Sequence, residues 1–138
     1  KLIGQKFISD KYFWSRPSAI DYNPFPSGGS NLAPTSAKLL KLFDERKEIF
    51  SRRNFVNDRE QIPNEMLFAS ASGVDPDISP QSAYLQANRI SVARKFNAKQ
   101  KEELIKLITA SIENPQFGFL GESRINVLML NLELDKIK

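Results

Sequence analysis

The residues of this chain best suited to chemistry lie near its start: Tyr12-Phe13-Trp14-Ser15-Arg16-Pro17-Ser18-Ala19, followed by Ser27-Gly28-Gly29-Ser30-Asn31-Leu32. An arginine between an aromatic pair and a proline can stack on a ring or grip a carboxylate with its fork. Either use implies organised contact, not bond breaking. Ser27-Gly28-Gly29-Ser30 superficially resembles a phosphate-cradling loop, but a Walker loop needs Gly-Lys-Ser/Thr after a strand, and the chain has no such sequence. A tight turn fits better, with glycine allowing positive φ and the serines and Asn31 bonding nearby backbone. Asp75 and Asp77 beside Gly73 form a fragment of a calcium loop without its terminal glutamate. They are expected to be turn residues before a helix, where negative charge is favourable.

Composition narrows the chemistry further. The chain has no histidine and no cysteine. The usual general base, the Ser-His-Asp arrangement, thiol catalysis and Cys-based zinc sites are therefore excluded. An enzyme here would need carboxylate, lysine or tyrosine chemistry, and no carboxylate pair sits in apolar context as in a glycosidase. The net charge is +4. Its basic residues (Lys38, Lys41, Arg46, Lys47, Arg52, Arg53, Arg59) alternate with Asp44, Glu45, Glu48, Asp58 and Glu60. That is the pattern of a solvated helix face, so no nucleic-acid partner is expected. With 138 residues, 41% of them hydrophobic, the chain is long enough for one domain with a real core. No apolar run approaches the ~20 residues that cross a bilayer. The start at Lys1-Leu2-Ile3-Gly4, without methionine, suggests that something precedes it, and a membrane anchor there is possible.

These residues must be positioned by a mixed set of elements. Residues 1–35 are broken by Pro17, Pro24, Pro26, Gly28, Gly29 and Pro34, yet carry Phe13, Trp14, Tyr22 and Phe25. We expect a long ordered loop with a short strand from Lys11 to Trp14. Thr35 or Ser36 caps a helix to about Phe50, with Leu39, Leu42, Phe43 and Ile49 on its apolar side. Glu65–Ala71 is expected as a short buried strand. Ser79-Pro80 starts a helix to about Lys95, with Ala83, Ala87, Ile90 and Ala93 on one face. Gln86 falls on that same face. It must find partners there, either loop backbone or a ligand or partner protein, because a buried unpaired amide costs about 1–3 kcal/mol. Arg89 and Arg94 are expected to make surface salt bridges. Asn97 and Gln100 form a capping box for a helix ended by Asn114-Pro115, with Leu104, Ile105, Ile108 and Ile112 on its apolar face. Phe117–Gly121 suggests a strand and turn, and Ile125–Leu132 a strand buried on both faces. The fold class is α+β: about three helices, a few short strands and a long ordered N-terminal loop in a single domain spanning residues 1–138.

Five stretches then converge: Tyr12–Ala19, Ser27–Leu32, Ala71–Pro80, Gln86 with Arg89, and Asn126–Asp135. In order and spacing they resemble the C chain of the Kdp potassium-transporting P-type ATPase over the whole chain. Three positions depart from the family pattern: Ser15 replaces a glycine, Trp14 a histidine, and Asn88 the proline of Gln-x-Pro-Arg. The helix around Gln86 should therefore be straighter. The resemblance implies an accessory, non-enzymatic subunit supporting assembly and activity of an ATP-driven, high-affinity potassium importer. It implies a single membrane-spanning helix before Lys1 and a soluble domain outside the cytoplasm. The implied partners are a channel-like potassium-binding subunit, an ATP-hydrolysing pump subunit and a small peptide subunit. A second implied reading is a catalytic chaperone that binds ATP and raises the pump subunit's ATP affinity, with Gln86 as nucleotide contact and Arg89 beside it. In the first reading, Phe13, Arg16, Ser18, Gly28, Gly29, Ser30 and Asn31 form the subunit interface. No cofactor or metal belongs to the domain itself. A secreted carboxylate-dependent hydrolase is a remote alternative.

Overall fold

A computed structural model describes residues 9–17, 36–69, 76–115 and 121–138. The architecture is α+β, as the element pattern implied. Among the described residues four α-helices follow one another: α1 (Ser36–Arg53), α2 (Pro80–Ala93), α3 (Ala98–Ala110) and α4 (Val127–Leu134). Two short strands, β1 (Asp77–Ile78) and β2 (Ile125–Asn126), pair antiparallel, with Ile78 opposite Ile125. An isolated antiparallel bridge joins Glu113 to Arg124. No helix among the described residues is long and apolar enough to cross a membrane.

The caps of α2 and α3 follow their sequences. Ser79 accepts a hydrogen bond from the Ser82 N–H while Pro80 occupies the first turn. Asn97 and Gln100 bond each other's backbone reciprocally. Glu65 adds a carboxylate at the start of α2, accepting from the Ser79 N–H at 2.6 Å and the Ser82 hydroxyl at 2.7 Å. Negative charge at a helix N-terminus is favourable. α1 and α2 both end with a left-handed residue, Phe55 (φ 58°) and Lys95 (φ 57°). In each case the next amide reaches back five residues, Val56 to Ser51 and Phe96 to Ser91, which satisfies carbonyls that the helix end leaves open.

Several expected elements take another form. Ile125–Leu132 is not a strand: the ladder covers only Ile125 and Asn126, and the rest is α4. The Asn126 side chain accepts from the Met129 N–H and starts the helix. A continuous apolar run fits a buried helix as well as a buried strand. The described part of Glu65–Ala71, residues 65–69, is no strand either. A 3₁₀ turn at Asn64–Met66 buries Met66 and Leu67 and leaves Phe68 outside, stacked on Phe43. α3 stops at Ala110, before Asn114-Pro115, and its Ile105 is exposed. On α1, Leu39, Leu40, Leu42 and Ile49 are exposed and only Phe50 and Ser51 are buried. Asp77 lies in β1, within 3.5 Å of Arg124. Asp75 and the expected strand at 117–120 fall outside the described residues.

The core gathers Phe13, Phe50, Leu67, Ile78, Ile90, Leu104, Ile108, Ile125, Leu130 and Leu134. α2 and α3 lie side by side, α4 packs on α3, and Phe13 joins them from far away in sequence.

Candidate functional site

α2 carries Ser82, Gln86 and Arg89 at helical spacing, all buried beside Ala83, Ala87 and Ile90. This helix therefore shows polar groups to the interior, and their partners define the site. The Gln86 carbonyl oxygen accepts from the Trp14 N–H at 2.6 Å and from Arg89 Nη1 at 3.2 Å. Its amide nitrogen donates to the Trp14 and Ser82 carbonyls, both at 3.2 Å. An amide has two acceptor lone pairs and two donor hydrogens, so this set fills its capacity.

Asn131 on α4 repeats the arrangement one residue earlier. Its Oδ1 accepts from the Phe13 N–H at 2.8 Å and its Nδ2 donates to the Phe13 carbonyl at 3.1 Å. Each bracket supplies the two bonds that an antiparallel neighbour would exchange with one residue. In extended chain, successive residues turn their backbone groups to opposite sides. Phe13 turns to α4 and Trp14 to α2. The expected strand at Lys11–Trp14 is thus replaced by a turn at Ser9–Tyr12 and an extended strap whose ladder partners are side chains.

Arg89 closes the cluster. It is 2% exposed, which corrects the expectation of a surface salt bridge. Its Nε donates to the Asp10 carbonyl at 3.1 Å, Nη1 to Asn54 Oδ1 at 2.6 Å, and Nη2 to the Tyr12 carbonyl. The guanidinium also lies 4.0 Å from the centre of the Trp14 ring. Burial pushes its pKa down to about 9, opposed by the Asp10 carboxylate and reinforced by neighbouring Arg53. It remains a cation at neutral pH, held by carbonyl and amide oxygens. Arg53 pairs with Asp10, and its guanidinium lies 5.3 Å from the centre of the Trp14 ring. At the rim, Arg94 donates to the Lys11 carbonyl at 2.8 Å and to Asp135 at 2.9 Å, and packs on Tyr12. The Tyr12 hydroxyl donates to the same carboxylate. Among the described residues, no buried side-chain nitrogen or oxygen lacks a partner.

Of the residues singled out from sequence, the fold brings Phe13, Gln86 and Arg89 together. Phe13 is fully buried in the core, so it is no free surface contact. Arg16 stands apart, in an open cleft of about 280 Å³ lined also by Glu65, Asp77, Ser79, Glu122 and Arg124. Its Nε donates to the Glu65 carbonyl at 3.4 Å. Arg89 and Arg53 meet the Trp14 ring, and Arg94 meets that of Tyr12. Ser18, Gly28, Gly29, Ser30 and Asn31 lie outside the described residues. Asn54 and Asn131 were not anticipated. Asn131 lies in the closing stretch Asn126–Asp135, and its signal is a polar residue on the apolar side of α4, the same signal that marked Gln86. No group of three or more acidic residues among the described residues is placed to hold a metal.

Chemically, the cluster binds a peptide backbone: the amides of Gln86 and Asn131 and the guanidinium groups of Arg89 and Arg94 take up polar groups of residues 10–14. Comparison with known proteins agrees with the motif order. The family model described as "K+-transporting ATPase, c chain" matches residues 1–136. A potassium-transporting ATPase KdpC subunit of Leptospira interrogans is 45% identical over 135 residues, covering 98% of this chain and 67% of the relative. The protein of the same name from Geotalea uraniireducens is 47% identical over 139 residues, covering 99% and 70%. That of Bacteroides fragilis is 41% identical over 138 residues, covering 99% and 71%.

Proposed function

Since this chain belongs to the family of the K+-transporting ATPase c chain, an accessory subunit of the potassium import complex, we propose that it acts there by contact and without chemistry of its own. The observation that carries this reading is the occupancy of Gln86 and Arg89. Both sides of the Gln86 amide are bonded inside the domain. The guanidinium holds Asp10, Tyr12, Asn54 and Gln86. A nucleotide would have to displace the Trp14 backbone to reach this amide. The catalytic-chaperone reading therefore asks the domain to give up its own packing first, and we favour the accessory role without ATP binding.

The partners in this reading are the channel-like potassium-binding subunit, the ATP-hydrolysing subunit and the small peptide subunit of the Kdp complex. A single membrane-spanning helix precedes Lys1, and the domain faces the outside of the cytoplasm. Arg16, with the open cleft around it, is the described part of the contact surface. Calorimetric titration of this chain with ATP tests the choice. We expect no saturable heat at millimolar nucleotide. Saturable binding that disappears in Gln86→Ala, with helical circular dichroism unchanged, would establish the chaperone reading instead.

A further inference from the structure

We propose that the body of this domain contains a peptide-binding groove, formed by the end of α1, α2 and α4, and that its occupant is the chain's own residues 10–14, bound as one cooperative unit. This goes beyond the accessory role and holds whether or not that role does.

Three features point to a ligand in a groove and not simply to core. First, recognition is of the main chain. Asn131 brackets Phe13 and Gln86 brackets Trp14, each through one N–H and one carbonyl. Arginines collect the carbonyls of Asp10, Lys11 and Tyr12. Second, the anchoring is that of a bound peptide: Phe13 fills an apolar pocket at 0% exposure, while Trp14 is covered by guanidinium groups from α1 and α2. Side-chain pockets plus backbone bonds is how extended peptides are read elsewhere. Third, the bonds are interlocked. Arg89 touches Asp10, Tyr12, Asn54 and Gln86 at once, and Gln86 touches both Arg89 and Trp14. Withdrawing one residue leaves a buried charge or amide without its partners, which low-dielectric surroundings make costly. Partial release is thus disfavoured, and the strap docks or leaves as a whole.

Amide hydrogen exchange measured by NMR tests the inference on the intact chain. In wild type, the Phe13 and Trp14 amides should exchange at one common opening free energy. Asn131→Ala removes the acceptor of Phe13 only, and Gln86→Ala that of Trp14 only. Each variant should speed both amides by the same factor, at least tenfold, and in wild type both should open at a lower free energy than Leu104 and Ile108 in α3. Acceleration confined to the amide whose acceptor was removed would overturn cooperativity. A wild-type opening free energy equal to that of Leu104 and Ile108 would show that the segment is inseparable from the core and overturn the groove. Trp14 is the single tryptophan of the chain. Its emission should shift red and its acrylamide quenching rise in both variants while far-UV circular dichroism stays constant. If either variant fails to fold, the wild-type comparison still decides: unequal opening free energies for Phe13 and Trp14 refute the unit.

Discussion

The first three turns of α1 and the face of α2 around Gln86 contrast in a way that inverts the usual division of residues. On α1, Leu39, Leu40 and Leu42 are 41%, 63% and 40% exposed. On α2, Gln86 and Arg89 are 0% and 2% exposed, and Asn54 and Asn131 beside them are also buried. Apolar residues are driven inward only where another surface is available to cover them. Polar residues tolerate the interior wherever every donor and acceptor is met. The strap of residues 10–14 is what satisfies α2. Its backbone supplies carbonyls and N–H groups at positions that no helix in the body could provide, since helical backbone groups are already bonded to each other. The strap in turn needs those side chains, because its own backbone has no sheet to join.

The sharpest way to break the contrast is to remove the cation. Arg89→Met keeps much of the volume, strands the Asp10 and Tyr12 carbonyls and the Asn54 oxygen, and leaves the Gln86 oxygen with the Trp14 N–H alone. Each buried oxygen left without its donor costs about 1–3 kcal/mol, and three lose theirs together. The expected result is a fall in melting temperature on the order of 10 °C or more, read by calorimetry. A loss below about 1 kcal/mol would mean that apolar filling serves α2 as well as the guanidinium does. The next effect is that of the brackets. Gln86→Leu and Asn131→Leu each leave one backbone N–H and one carbonyl buried without partners, at about 2–3 kcal/mol apiece by denaturant titration. Similar values for the two would place α2 and α4 on an equal footing in holding the strap.

How much of this could be seen in the sequence depends on how far apart the partners are. The α2 and α3 starts were legible because Ser79-Pro80 and Asn97 with Gln100 act on backbone three residues away or less. Gln86 was legible as a buried polar residue by its place among Ala83, Ala87 and Ile90. Its partner was not, since Trp14 lies 72 residues away, and Phe13 is 118 from Asn131. Asn131 was obscured by the strand reading of Ile125–Leu132. In helical register it shares a face with Val127, Leu130 and Leu134, all buried, and stands out as Gln86 does. The α1 stripe was misjudged for the opposite reason. Its period correctly marks an amphipathic helix, but a period says nothing about whether a surface lies opposite. Arg53 on α1 and Arg89 on α2, which meet the Trp14 ring, carry no local mark of it, because the ring lies far from them in sequence.

A smaller effect is expected at the rim, where the strap's support meets water. Asp135 accepts from Arg94 and Tyr12 but is half exposed, so solvent screens the pair. Asp135→Asn should cost no more than about 1 kcal/mol, decreasing as salt is raised. A cost matching that of the Gln86 change would move the centre of the clamp outward, from the amides to this ion pair.

The smallest effect belongs to α1, and it tests the other half of the contrast. Leu39→Ser with Leu40→Ser removes two large apolar side chains, a change that would be ruinous in α3, where Leu104 and Ile108 are fully buried. At exposed positions the folded chain loses little that the unfolded chain does not also lose. Serine's weaker helix propensity adds a few tenths of a kcal/mol per residue. The pair should therefore stay within about 1 kcal/mol of wild type by denaturant titration. A larger loss would show that the α1 leucines are covered in solution, and the difference between the two helices would then be one of partner and not of burial.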